Sequence, residues 1–313
     1  MLDNLIVIGN NKGGAKKSTL TAQLAGEMHG AGWKVLVVDL DLQGDLGKYL
    51  FWRGTDLDDQ GRGLHDAMIA GEPLTSIIKN VGGREGFDAI PGGSWIRVLG
   101  NSLRGGTRPE ADLLQLLTPI AHNYNAILVD TQPSPDDKLH QQALLSARYV
   151  ISPVNADEID SIERYAAEVE RIRQAGNPLL EHLGQVLYGW DRGQPPKEAD
   201  FERFEKAANG VQAFRSTPFN ANGATKYARI AQKLVGEYAI EGERVLRETG
   251  SGYGVSKAGL NITVFGKRVT QAQRAKLPED AEVIGDVLLG GGLAGDYFAL
   301  GREIMAAIYK STL

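Results

Sequence analysis

The stretch Leu5-Ile6-Val7-Ile8-Gly9, continued by Lys12-Gly13-Gly14-Ala15-Lys16-Lys17-Ser18-Thr19, decides the fold. An unbroken apolar run reads as a buried strand, and residues 20–28 return to helical spacing. Between them lies a glycine-rich turn that ends in Lys-Ser. Strand, glycine-rich loop, Lys-Ser and helix in that order are the context of a phosphate-binding loop. The glycines let the backbone curl so that its N–H groups converge on an anion. The start of the helix adds free N–H donors and partial positive charge. In such a loop Lys17 reaches the β- and γ-phosphates, and the Ser18 hydroxyl ligates Mg²⁺.

The spacing departs from the common G-x-x-x-x-G-K-[ST] pattern, because Lys16 stands where glycine precedes the lysine. K-G-G-x-x-K-[ST] fits instead, with Lys12 at the front. This is a deviant Walker A motif, and the chain resembles the ParA/MinD family of P-loop ATPases. The resemblance implies ATP and Mg²⁺ as cofactors, bound by residues 12–19. It makes Lys17 the lysine acting in its own subunit and Lys12 the lysine that crosses a homodimer interface to the other subunit's phosphates.

Composition prunes this reading. The chain has 313 residues, enough for a full α/β core. It has no cysteine, which excludes disulfides, thiolate metal sites and the iron–sulfur relatives that share the deviant motif. Its net charge of −5 places any nucleic-acid contact in a local patch. No apolar run is long enough to span a bilayer and no secretory signal is evident, so no membrane association and a cytoplasmic, nucleoid-associated location are expected. The first strand starts almost at Met1. With no helix-turn-helix segment before the loop, binding to a specific operator is not expected.

Apolar runs alternate with helical patterns, the signature of an α/β fold with a mostly parallel twisted sheet and helices on both faces. Further strands are expected at 34–40, 87–91, 126–130, 149–154, 183–190 and 211–216. Helices are expected at 64–81, 111–122, 138–147, 159–175 and 202–208. The ParA-like pattern covers residues 1–240. Residues 241–295 form an extension of unassigned role, with a flexible joint at 249–254 and strands at 260–265 and 281–289. An amphipathic helix over 296–309 has Phe298, Ile304 and Ile308 on or near one face, and the domain 296–313 is expected to pack on the core.

Two more motifs follow the loop in family order. Asp39-Leu40-Asp41-Leu42-Gln43-Gly44-Asp45 resembles the segment D-x-D-P-Q-G-N, the first switch region. By that resemblance Asp41 positions the attacking water and contributes at the metal. Leu42 and Asp45 replace the usual proline and asparagine. Residues 124–131 form an apolar strand ending in Asp130, a Walker B arrangement that places Asp130 at the metal through a water. Gln132-Pro133-Ser134-Pro135 departs at Gln132 from the usual second switch, D-T-P-P-S. Residues 151–155 resemble the strand end after Walker B, with an architectural role. Residues 214–219 resemble the segment covering adenine, which assigns Pro218 and Phe219 to the base. The five histidines show no metal-ligand spacing and read as structural.

Four basic residues and no acid fall between Ala213 and Val235: Arg215, Lys226, Arg229 and Lys233. The last three would share one helix face. A second acid-free stretch, 251–278, holds Lys257, Lys267, Arg268, Arg274 and Lys276. The family resemblance gives this part nonspecific, salt-sensitive DNA contacts in the ATP-bound dimer, assigned here to Arg215, Lys226, Arg229, Lys233, Lys267 and Arg268. It also implies slow ATP hydrolysis accelerated by a ParB-like centromere-binding partner, and a task in plasmid or chromosome partition. Positioning of a protein assembly on the nucleoid, a MinD-like membrane switch and a scaffold that barely hydrolyses ATP remain alternatives. A small-molecule kinase or ligase fits less well, since Lys12 then has no task.

Overall fold

The computed structural model describes residues 1–133, 137–191, 194–219, 234–237, 267–268, 283–284, 287–288 and 292–311. Seven strands form one sheet: β1 (Leu2–Ile8), β2 (Val35–Leu40), β3 (Lys79–Asn80), β4 (Phe87–Ile90), β5 (Ala126–Thr131), β6 (Ala147–Asn155) and β7 (Glu181–Tyr188). Their order is β3-β4-β2-β5-β1-β6-β7. All pairings are parallel except β3 against β4, at the edge. Parallel strands need crossovers, and the helices that supply them cover both faces, which explains strands that read as continuous apolar runs.

Alternation along each strand divides the core into two layers. Leu5 and Val7 of β1, with Leu36 and Val38 of β2, face the layer built with α3 (Arg62–Ala70), α4 (Ser94–Arg104), α5 (Leu113–Ala121), α6 (Lys138–Ser146), α7 (Ile159–Ala175) and α8 (Glu198–Ala207). Ile6, Ile8, Val35 and Val37 face the other layer, built with α1 (Lys17–Gly30), α2 (Leu46–Tyr49) and the C-terminal helix α9 (Gly292–Ser311). α9 lays Leu293, Tyr297, Leu300 and Ile304 against α1 and the sheet.

Several boundaries differ from expectation. The helix expected at 64–81 ends at Ala70, because Gly71 turns left-handed with φ 70°. Pro73 follows, then a 3₁₀ turn (Leu74–Ser76) and strand β3. Residues 211–216 do not form a strand: only Ala213 bridges Gln185 of β7, while the Phe214 ring packs over Gly184. α4 and α2 were not expected. The helix at 296–309 begins earlier, and Phe298 lies off its buried face, 53% exposed.

Residues 260–265 and the joint at 249–254 lie outside the described residues. The single strand expected at 281–289 is two short ones, β9 (Val283–Ile284) and β10 (Val287–Leu288), paired antiparallel. β8 (Lys267–Arg268) pairs with β10 on its other side.

Candidate nucleotide site

The sheet order brings the C-terminal ends of β2, β5 and β1 side by side. In register, Asp130 of β5 lies opposite Ile8 of β1 on one side and Asp39 of β2 on the other. The three chemistry-bearing segments therefore emerge at one edge of the sheet, the crevice where open α/β sheets bind ligands. Thr131 donates its hydroxyl to the Ile8 carbonyl at 3.1 Å and ties β5 to β1 at that edge.

The loop after β1 is fixed at its root. The α-carbon of Gly9 packs against the buried Tyr165 of α7; a β-carbon there would lie 1.8 Å from the phenol oxygen. Asn10, almost fully buried, donates to the Pro153 carbonyl at 2.8 Å and accepts from the Lys12 N–H at 3.0 Å. Gly14 turns with φ 81°, and Lys16 enters α1 with φ 67°. Among the described residues no side chain caps the first turn of α1, which leaves its N–H groups for a ligand in the cleft. Lys17 is 6% exposed and donates from Nζ to the Lys12 carbonyl at 3.2 Å. Burial pulls its pKa down, while Asp130 and Asp41 oppose that shift.

Carboxylates surround this lysine. Asp130 is fully buried, and neither of its oxygens has a well-formed hydrogen bond among the described residues. Burial pushes its pKa up to about 7, against the pull of the nearby Ser18 hydroxyl. Asp39 accepts the Asp41 N–H at 2.9 Å, and its other oxygen has no hydrogen-bond partner among the described residues. Burial, then the Asp130 charge, pushes Asp39 well up. Asp41, 8% exposed, accepts the Gln43 N–H at 2.8 Å. Its pKa is also raised by burial, against the Gln43 N–H and Lys17.

Asp130 and Asp41 act on the one buried ammonium group and Asp39 lies beside Asp130, so acids outnumber cations here and a bound cation would favour their ionised forms. Orphaned carboxylate oxygens beside a serine hydroxyl are hard oxygen donors of the kind Mg²⁺ takes. Among the described residues no group of three or more His, Cys, Asp or Glu side chains is arranged to hold a metal by itself. Mg²⁺ carried on phosphates needs only one or two protein ligands, so the donor set fits.

These groups open on a cleft of about 570 Å³. Its walls are residues 13–19, then Asp41, Leu42, Gln43 and Asp45 after β2, Tyr49 of α2, and Gln132 and Pro133 after β5. Leu42, Gln43, Asp45, Tyr49, Gln132 and Pro133 are not among the site residues expected from sequence; all but Tyr49, which carries no signal, stand within the two switch-like motifs. Lys12 does not line this cleft. Its half-exposed Nζ lies 3.7 Å from Glu158 in the turn before α7.

The remaining assignments lie elsewhere. Pro218 is buried and Phe219 half-buried, and neither lines the cleft. Arg215 is engaged by Glu198 at 2.8 Å and Glu205 at 2.7 Å, and its guanidinium lies over the Phe201 ring. Two carboxylates thus neutralise that cation. Lys226, Arg229 and Lys233 fall outside the described residues, as do Ser134 and Pro135 of the second switch. Lys267 and Arg268 form β8. The buried His140 and His182 are pushed down to about 3 and about 4 by desolvation, which keeps both neutral. No helix among the described residues is long and apolar enough to cross a membrane.

The sequence profile of the family described as "AAA domain" matches residues 3–182. Chromosome-partitioning ATPase Soj of Thermus thermophilus is 30% identical over 192 residues, spanning 59% of this chain and 69% of that protein. Among solved structures, apo McdA of Cyanothece superposes with a TM-score of 0.63 at 18% identity, covering 75% of this chain and 92% of that one. Cobyrinic acid a,c-diamide synthase of Mycobacterium smegmatis, with bound ADP and magnesium, superposes with a TM-score of 0.59 at 18% identity, covering 80% and 97%. At these identities the two structures speak to the fold. Loop, strand-end aspartates and sequence kinship agree: this chain belongs to the AAA domain family and, within it, to the ParA-type P-loop ATPases.

Proposed function

We propose that the chain is an ATP-dependent dimerising switch that binds DNA nonspecifically and hydrolyses ATP to drive partition of a plasmid or chromosome. The observation that carries this reading is the placement of Asp130 between the β1 and β2 strand ends, with orphaned oxygens beside Ser18 and the loop lysine. That geometry supports a triphosphate with its metal. Backbone N–H groups of residues 13–19 and the Lys17 ammonium bind the phosphates. Ser18, Asp130 and Asp41 are the residues that would hold the metal. Mg²⁺, when bound, supplies charge neutralisation of the β- and γ-phosphates. Asp41, fixed by the Gln43 N–H, orients a water for attack. Lys12 lies outside its own cleft, half-exposed and in a 3.7 Å contact with Glu158, and exchanges that contact for the other subunit's phosphates, which makes the closed dimer depend on the γ-phosphate.

In the dimer the basic segments of two chains act together, and their joint avidity exceeds that of one. Hydrolysis opens the dimer and releases DNA. A ParB-like protein accelerates this step. The kinship with a chromosome-partitioning ATPase supports the segregation task. The basic surface rests on Lys226, Arg229, Lys233, Lys267 and Arg268; Arg215 is left out because Glu198 and Glu205 pair it.

The test is binding to a nonspecific duplex without nucleotide, with ADP, and with a nonhydrolysable ATP analogue. Binding only with the analogue, weakened by salt and lost in Lys12→Ala, is expected. Absence of DNA binding in every state overturns the reading.

A further inference from the structure

Asp45 adds a carboxylate to the wall of the nucleotide cleft. Its charge acts on the site: it contributes to the upward shifts of Asp39, Asp41 and Asp130. A negative charge there also opposes an incoming triphosphate. The structure sets two cations on it. Lys48 of α2 pairs with Asp45, and Arg53 places Nη1 3.3 Å from the same oxygen.

Arg53 differs from Lys48 in two respects. Its Nη1 also reaches the Gln43 carbonyl at 3.4 Å, and Gln43 is the residue whose N–H holds Asp41. Its backbone is anchored as well. The Arg53 N–H donates to the Gly47 carbonyl at 3.1 Å, and the preceding Trp52 is buried against Gly47. A buried tryptophan and a main-chain hydrogen bond therefore deliver a guanidinium to the loop that carries Asp41.

We propose that Arg53 is a positioning residue of the nucleotide site: through Asp45 and the Gln43 carbonyl it holds the Asp41 loop closed on the cleft and offsets the charge that Asp45 sets against a triphosphate. This inference rests on the nucleotide-binding reading above. Both side chains are part-exposed, so the pair itself adds little to stability. Its effect lies in the charge seen by the ligand. Lys48 still pairs Asp45 when Arg53 is lost, so the change is one charge in the local sum; Coulomb's law in a water-like medium at roughly 10 Å makes that worth about a fivefold change in affinity for a multiply charged ligand.

The experiment is a double-mutant cycle on the full chain, with Arg53→Gln, Asp45→Asn and the pair together. Affinities for a fluorescent nonhydrolysable ATP analogue and for fluorescent ADP, both with Mg²⁺, are read at low and high salt. Arg53→Gln is expected to weaken the ATP analogue about fivefold and ADP less, with the loss shrinking in salt. Adding Asp45→Asn is expected to restore affinity to within about twofold of the starting protein, because the local charge then returns to its starting value. Hydrolysis at saturating ATP is expected to stay slow in the pair, since the Gln43 carbonyl still lacks its donor. Arg53→Lys keeps the charge and, since both contacts come from Nη1 alone, a nitrogen able to make them, and is expected to bind and hydrolyse within about twofold of the starting protein. Affinity unchanged in Arg53→Gln, or no rescue by Asp45→Asn, overturns the inference. Failure of the unsubstituted chain to bind the analogue instead overturns the nucleotide reading itself.

Discussion

Lys17 is a buried side chain whose ammonium group faces aspartates rather than water. Desolvation favours loss of its proton, and Asp130 and Asp41 oppose that loss. Its removal leaves the acids unopposed and takes away a charge-assisted donor to phosphate. Lys17→Ala is expected to cost about 1.5–3 kcal/mol of nucleotide affinity, roughly ten- to hundredfold, by titration with a fluorescent ATP analogue. Gly9 makes a different argument. The Tyr165 phenol occupies the space of its missing side chain. Gly9→Ala is expected to destabilise by about 1–3 kcal/mol in denaturant unfolding, with partial rescue by Tyr165→Phe. Equal stability of Gly9→Ala and the starting protein would show that the two elements separate without cost. From sequence, Gly9 reads only as the end of a strand, because its constraint comes from a tyrosine more than a hundred residues away.

At the level of elements, the packing of α9 on α1 decides how the C-terminal segment joins the core. Gly301 lets the helices approach: a β-carbon there would lie 2.8 Å from Glu27 Cβ. Gly301→Val is expected to cost about 1–3 kcal/mol and to expose the buried face of α9, read as lower melting temperature and dye binding. Glu27 itself is pushed up to about 7, chiefly by burial and then by Glu237, which Arg84 pairs at 2.6 Å. An acid with a raised pKa in the fold favours its protonated form. The stability it contributes is full below its ordinary value of 4.5 and is lost as pH rises through about 7. Glu27→Gln is therefore expected to flatten the stability profile between pH 5 and pH 8 by on the order of 1 kcal/mol. An unchanged profile would locate the titrating group elsewhere.

The elements also show where sequence patterns are legible. The α7 pattern is long, periodic and free of breakers, and its expected bounds match the structure. The pattern over 64–81 continues apolar spacing through Gly71 and Pro73, and backbone geometry overrides it there. α4 is passed over because glycines flank and interrupt it, although Ile96, Leu99 and Leu103 keep helical spacing. Residues 211–216 are apolar enough for a strand, but beside β7 only Ala213 makes the bridge.

At the scale of the whole molecule, the proposed switch is a change of oligomeric state. Light scattering after size exclusion is expected to give a monomer with ADP and a dimer with a nonhydrolysable ATP analogue, and a monomer in both for Lys12→Ala. A dimer that persists in Lys12→Ala would remove the γ-phosphate link between the subunits. Reversing the charge of Lys226, Arg229 and Lys233 together is expected to abolish duplex binding while leaving that dimer intact, which separates the DNA surface from the nucleotide site.

By itself the sequence determined the loop, its two lysines and the strand-end aspartates, because phosphate and metal chemistry demand particular residue types at close, local spacing. It also determined the alternation of strands and helices, since burial on both faces leaves an apolar run that is readable in isolation. Tertiary structure alone decided which strand ends meet, that Asp130 stands between Ile8 and Asp39, and that Asp45 and Tyr49 share the cleft. It alone paired Arg215 with Glu198 and Glu205, and Lys12 with Glu158. Charge neutralisation and steric approach are set by distance in space, and chain separation carries no record of that distance.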